Sequence, residues 1–276
     1  MNILRPTRQT SGFSLVEIAV VLVIIAILIT AVGIPLATQL EQQRTIETQK
    51  QLESIKEALY GFAMANGRLP CPATDNVVYG SANSNGAESF AGGGSAANGN
   101  CAVFVGFVPA TTLGLAPVDS AGFFVDAFGL TQNRIRYAVR GLTISTNSSC
   151  ATATANPLTR TDGIKAATMA CLGDSTSTPL NPLLSIVSTT VNNVAAGCTP
   201  TNLATKAPFV IFSLGKNAPA GGTGADEAQN VLPTATTFVS HTQTPAGNCA
   251  GEFDDIVTWG SLNTLFARMV QAGKLP

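Results

Sequence analysis

The chain has 276 residues, a formal net charge of −1 and only 11% charged residues. That length accommodates one long helix plus a globular domain of about 200 residues, and so sparse and balanced a charge leaves no basic surface to hold nucleic acid. A single histidine and the lack of GxSxG, HExxH and P-loop patterns leave little for nucleophilic, acid–base or phosphoryl-transfer catalysis, so a non-enzymatic protein is expected.

The first stretch, residues 1–12, is short and carries Arg5 and Arg8 with no acid. It leads into an apolar run in which residues 18–37 hold no charge and only Thr30 is polar. A helix rises about 1.5 Å per residue, so such a run reaches across the roughly 30 Å hydrocarbon thickness of a bilayer. The excess of arginine ahead of it places the N-terminus in the cytoplasm and the rest of the chain across the membrane. A secretory signal peptide has an apolar core of about 7–15 residues followed by a small-x-small cleavage site. This core is longer and runs straight into a helical pattern. A plain membrane anchor explains the length but not the Gly12-Phe13 step or the carboxylate of Glu17 at the edge of the run.

Small Gly12 before large Phe13, with Glu17 fifth counting from Phe13 and an unbroken apolar run behind it, resembles the N-terminal segment of type IV pilins and type II secretion pseudopilins. The resemblance implies cleavage between Gly12 and Phe13 by prepilin peptidase and methylation of the new amino group of Phe13. A carboxylate in lipid calls for a partner, and the Phe13 amine, in the same helix or on a neighbouring subunit, provides one. Alternatively, Glu17 snorkels to the headgroups.

The helix continues beyond the apolar run. Gly33 and Pro35 predict a kink or a locally unwound turn. The family's proline usually lies one position nearer Phe13. Leu36, Leu40, Leu52, Ile55, Leu59 and Phe62 then recur at mostly helical spacing, interleaved with Glu41, Arg44, Glu47, Lys50, Glu53 and Lys56. Asn66-Gly67 ends the pattern, with Pro70 shortly after. Four segments are expected: a leader over 1–12, a transmembrane or filament-core helix over 13–37, its amphipathic continuation over 38–66, and a globular head over 67–276.

Residues 67–73, GRLPCPA, resemble the turn after the long helix of many pseudopilins. Residues 74–100 are Asn-, Ser-, Gly- and Ala-rich and predict a surface loop. Asp126-Ala-Phe-Gly129 followed by Ile135, Tyr137 and Val139 resembles the pseudopilin D-x-W-G…Y-x-Y block, with Phe128 in place of Trp. The alternation with Arg134, Arg136 and Arg140 predicts a strand with one buried face. Residues 143–205 predict irregular structure with one short element around 183–194. A second core strand is expected over 207–214, and a final helix over 262–270, with Ser261 as N-cap and Gly273 as stop.

The segment from Ser213 to Asn230 resembles the calcium-binding loop of the major pseudopilin, with Asn217 where the family has Asp and about 25 extra residues before Asp254-Asp255. The resemblance implies the carbonyl of Leu214, Asn217, Asp226 and Asp254 or Asp255 as ligands of a structural calcium, no other cofactor being expected. A solvated acidic loop without metal is the alternative. His241, among Ser and Thr, reads as a surface residue.

Six cysteines, Cys71, Cys101, Cys150, Cys171, Cys198 and Cys249, all follow the apolar run and form no CxxC pair. An even set outside the cytoplasm reads as disulfides, with fifteen connectivities open. Sequential pairing, Cys71–Cys101, Cys150–Cys171 and Cys198–Cys249, is the expectation, because each link closes a loop of low regular content.

The expected fold is α+β and pilin-like: a long N-terminal helix, half transmembrane, packed on an antiparallel β-sheet head with disulfide-tied loops. The resemblance implies a filament subunit, minor or pseudopilin-like, of a type IV pilus or type II secretion pseudopilus. Its partners would be other pilin or pseudopilin subunits, prepilin peptidase, an inner-membrane assembly platform and the bilayer. It would sit in the bacterial inner membrane with a cytoplasmic N-terminus and periplasmic head before entering a filament. A membrane-anchored exported binding protein or adhesin that never polymerises is the alternative.

Overall fold

The computed structural model describes residues 12, 14–75, 86–92, 94–129, 133–140, 155–173, 183–218 and 224–275; within its first helix, side chains 29–37 are not described. Two compact units divide the chain, Met1–Arg44 and Thr45–Pro276. Helix α1, Leu15–Asn66, begins in the first unit and ends in the second. Helical assignment passes through Gly33 and Pro35, so no unwound turn interrupts it. A proline removes one hydrogen bond from a helix, and the bonds of neighbouring turns can carry the helix past it. Among the described residues no helix is long and apolar enough to cross a membrane; the run over 18–37 is described in full only as far as Leu28.

In the second unit, α1 buries one stripe, Leu52, Ile55, Leu59, Tyr60 and Ala63, against the sheet residues Tyr137, Phe209 and Ile211. These positions recur every three or four residues, which puts them on one helical face. Lys56 meets Glu53 on the outer side. Gly67, at φ 70°, closes the helix, its N–H donating to the Ala63 carbonyl at 2.8 Å.

That sheet has four strands: β1 (Val105–Phe107), β2 (Arg136–Val139), β5 (Phe209–Ser213) and β7 (Ile256–Trp259), in the order β1-β2-β5-β7, all antiparallel. Beyond β1, Ala73 and Phe107 exchange two 2.9 Å hydrogen bonds, so the segment after α1 extends the sheet by one bridge. Helix α5, Leu262–Gln271, packs Leu262, Leu265, Phe266 and Met269 into the same core. The strands expected around 135–139 and 207–214 and the helix expected over 262–270 are all present.

A second sheet, absent from the sequence reading, orders β4 (Asn202–Ala207), β3 (Leu184–Val187) and β6 (Thr237–Val239) as β4-β3-β6. β3 pairs antiparallel with β4 but parallel with β6. The shorter helices are α2 (Ala110–Leu113), α3 (Gly163–Leu172) and α4 (Ala225–Asn230), with a 3-10 turn at Val194–Ala196. The described part of the 143–205 stretch is therefore more regular than its composition suggests: α3, β3 and most of β4 lie in it. Leu184, Ile186 and Ala207 pack with Val210, Phe212 and Phe238, and this shared apolar contact holds the second sheet on the outer face of the first.

Two disulfides join Cys71 to Cys101 and Cys198 to Cys249, with Cα–Cα separations of 5.3 and 6.3 Å. Both match the sequential pairing. Cys171 is also disulfide-bonded, and Cys150 lies outside the described residues. The described part of the low-complexity stretch over 74–100 is tied more tightly than its composition predicts. Glu88 accepts two 2.7 Å hydrogen bonds from the guanidinium of Arg68, just beyond the end of α1, and its main-chain N–H donates to Thr112 Oγ1 at 2.8 Å.

Candidate functional site

Two regions carry the candidate residues. In the first unit, Gly12 and Glu17 are exposed, and Glu17 lies in the first turn of α1, where a carboxylate is favoured by the unpaired N–H groups of the helix start. The N–H groups of Glu17 and Ile18 donate to the Ser14 carbonyl at 3.0 and 3.2 Å. Phe13 lies outside the described residues. From Leu15 to Leu28 the large apolar side chains stand in the open, Leu15 being 87% exposed and Ile25 45%. A continuous apolar surface of this kind calls for lipid or for another protein.

The second region lies in the loop after β5 and the strand approach to β7. Glu227, Asp254 and Asp255 are buried, with one oxygen of each within 4.8 Å of the others. Glu227 is placed by α4: as its third residue it reaches back to the Gly224 N–H at 3.3 Å. The Asp254 N–H donates to Glu227 Oε1 at 2.9 Å. Asp254 Oδ2 accepts from the Lys216 and Asn217 N–H groups at 3.0 and 3.1 Å, while its Oδ1 is buried with no hydrogen-bond partner. The Asn217 amide donates to both Glu227 oxygens at 3.0 and 3.2 Å, and its own Oδ1 is buried without a partner. Asp255 Oδ2 accepts from Asn230 at 2.8 Å.

Burial, reinforced by the charge of Glu227 against the pull of N–H groups on its oxygens, pushes the Asp254 carboxyl up to about 6. Burial also raises Asp255 well above the usual carboxylate range, with the charges of Glu227 and Asp254 adding to the effect and the Asn230 hydrogen bond opposing it. Three carboxylates this close repel one another as anions. A hard dication among them would relieve the repulsion and satisfy the bare oxygen of Asp254.

The loop is held from below by Asp126. Its carboxylate accepts from Ser213 Oγ and, at 3.2 Å, from the Asn133 amide, which also donates to the Gly215 carbonyl. Burial raises the Asp126 carboxyl despite these donors. The turn over 126–129, read from sequence only as the lead-in to a strand, is thus the support of the 213–217 loop. Gly215, at φ 64°, lies so close to Asp254 that a Cβ there would run into the carboxylate.

Of the calcium ligands expected from sequence, Asn217, Asp254 and Asp255 come together, and Leu214 leads into the same loop. Asp226 does not join them. Consecutive residues on a helix point about 100° apart, and α4 gives Glu227 to the cluster and turns Asp226 away to Thr190 and His241. The G-x-x-E spacing from Gly224 is the signal that could have singled out Glu227. His241 is not the free surface residue expected: its ring stacks on Phe253, 3.9 Å between centroids, and Nε2 is buried.

Compared with known proteins, the chain matches the family model of the prokaryotic N-terminal methylation motif over residues 7–33. No curated protein and no solved structure matches it. The motif supports a prepilin segment of the type IV pilin and pseudopilin kind and indicates the corresponding processing. It fits export through prepilin peptidase, association with the membrane and association with pilin-type assembly machinery in general.

Proposed function

We propose that the protein is a filament subunit, minor or pseudopilin-like, of a type IV pilus or type II secretion pseudopilus. It is held in the inner membrane by the apolar start of α1, cleaved between Gly12 and Phe13, methylated on Phe13 and then polymerised. The observation that carries this reading is the methylation motif over 7–33 running into a single helix, Leu15–Asn66, whose first unit leaves its apolar side chains uncovered. Lipid covers that surface before assembly and neighbouring subunits cover it afterwards. Glu17 then pairs with the Phe13 amine of a neighbour, which sets the axial register. The role is structural rather than catalytic.

Calcium belongs to the same proposal. Glu227, Asp254, Asn217 with its amide turned over, and the Leu214 carbonyl would hold the ion, with Asp255 at its side. The bare, buried Oδ1 of Asp254 supports this. Bound calcium would supply charge neutralisation and fix the 213–217 loop to Asp254; the chain's own part is to hold the oxygens in place.

The intact mass of the unreduced protein from its own host's membranes tests the processing. Loss of residues 1–12 plus one methyl group is expected, together with six missing hydrogens for three disulfides. An unprocessed terminus would instead support a plain anchor, and a cut beyond Ala37 would overturn the filament reading.

A further inference from the structure

The second sheet creates a site that the filament reading does not use. Because β3 and β6 run parallel, with Val187 opposite Val239, their C-terminal ends finish side by side. Thr190 follows one and His241 the other. Helix α4 brings the Asp226 carboxylate between them, and the Cys198–Cys249 disulfide borders the opening, a pocket of about 180 Å³.

Each of the two titratable side chains is fixed by one atom and turns the other, which makes no hydrogen bond, towards its neighbour. Asp226 is fully buried; its Oδ1 accepts from the Thr190 N–H and Oγ1, both at 2.7 Å, and Oδ2 has no hydrogen-bond partner. The His241 Nδ1 lies 2.7 Å from the Thr242 carbonyl. A carbonyl only accepts, so Nδ1 carries the proton, and in the neutral ring Nε2 is a lone pair. That Nε2 is buried without a hydrogen-bond partner and faces Asp226 Oδ2 at 3.5 Å. The ring is stacked on Phe253.

A lone pair and a carboxylate oxygen facing each other repel unless something electrophilic lies between them. An imidazolium would close to the roughly 2.7–2.9 Å of a charge-assisted hydrogen bond. A gap of 3.5 Å instead suits a shared cation: with metal–nitrogen and metal–oxygen bonds of about 2.0–2.1 Å it corresponds to a ligand–metal–ligand angle near 117°, close to tetrahedral. The Nδ1–H bond to a carbonyl and the double anchoring of Oδ1 are the supporting contacts that metal-ligating histidines and carboxylates require.

We propose that His241 Nε2 and Asp226 Oδ2 bind a borderline divalent transition-metal ion of the zinc class, with its remaining positions open to the pocket. Imidazole selects such an ion over calcium, which prefers an all-oxygen set. The site is separate from the carboxylate cluster, although Asp226 and Glu227 are neighbours in sequence.

The test uses the processed, disulfide-intact full chain, kept saturated with calcium so that zinc does not occupy the carboxylate cluster. Zinc is added, and binding is followed by equilibrium dialysis and by the NMR signal of the single, isotope-labelled histidine. One zinc per chain and a shifted imidazole signal are expected. Affinity should fall by at least about 10-fold in His241→Gln and in Asp226→Asn, and by about 10-fold in Thr190→Val, which removes only a supporting contact. His241→Gln should keep the cooperative thermal unfolding of the wild type, which shows that it folds. An imidazole signal unmoved by excess zinc, or equal zinc affinity in wild type and His241→Gln, overturns the proposal. Loss of calcium binding in Glu227→Gln with zinc binding retained would leave it standing.

Discussion

The main-chain N–H of Asp254 donates to Oε1 of Glu227 at 2.9 Å, across 27 residues of sequence. This bond joins the first turn of α4 to the approach of β7, and the 213–217 loop closes over both through Asn217 and Lys216. Three carboxylates are brought together in a buried place, so the state of this cluster should govern the stability of the surrounding fold.

The pH dependence follows with a definite sign. The Asp254 carboxyl, at about 6 in the fold against an ordinary 3.8, takes up a proton in the native state over a range where the unfolded chain does not. Its contribution is therefore greatest below about pH 4 and declines as pH rises to about 6. Asp255, also raised, acts in the same direction. Without calcium, the melting temperature should fall by roughly 2–8 °C between pH 5 and 7. If calcium binds the carboxylates in their charged form, as proposed, saturating calcium should abolish that fall. Scanning calorimetry with calcium or with chelator checks this. Glu227→Gln should remove the calcium response, and an unchanged response would rule out the cluster as the calcium site.

Asp126 should matter to the same loop without touching the ion. Asp126→Ala leaves Ser213 and Asn133 without their buried acceptor, a loss of about 2–4 kcal/mol. Urea denaturation would measure it. Weaker calcium binding in this variant would show that the turn over 126–129 supports the loop.

The pair Arg68–Glu88 and the disulfide Cys71–Cys101 fasten the same stretch. Arg68→Ala strands a largely buried carboxylate and should destabilise the second unit by about 3–5 kcal/mol. Replacing both cysteines by serine frees a loop of sequence separation 30 and should cost about 3–4 kcal/mol. Because the two act on one loop, the double change should fall short of the sum, which a denaturant cycle would reveal.

Glu17→Ala separates the filament reading from a plain anchor. Cleaved, membrane-held protein that no longer enters filaments is the expected result, read by shearing and by electron microscopy of cells. Normal filaments in this variant would dismiss the pairing of Glu17 with the Phe13 amine.

The sequence by itself determined the features that depend on neighbours along the chain. The long helix with its apolar stripe, the strands around Tyr137 and Ile211, and the helix carrying Leu265 and Met269 follow from spacing and composition, because a helical face or a pleat repeats within a few residues, and the N-terminal segment was legible through its resemblance to a known motif. Only the tertiary structure decided which of two adjacent acids faces Asp254. That choice depends on the phase of a six-residue helix set by packing, and Glu227 rather than Asp226 takes the place. The parallel pairing of β3 with β6, and the meeting of His241 with Asp226 that follows from it, are likewise contacts between segments far apart in the chain, and no local pattern encodes them.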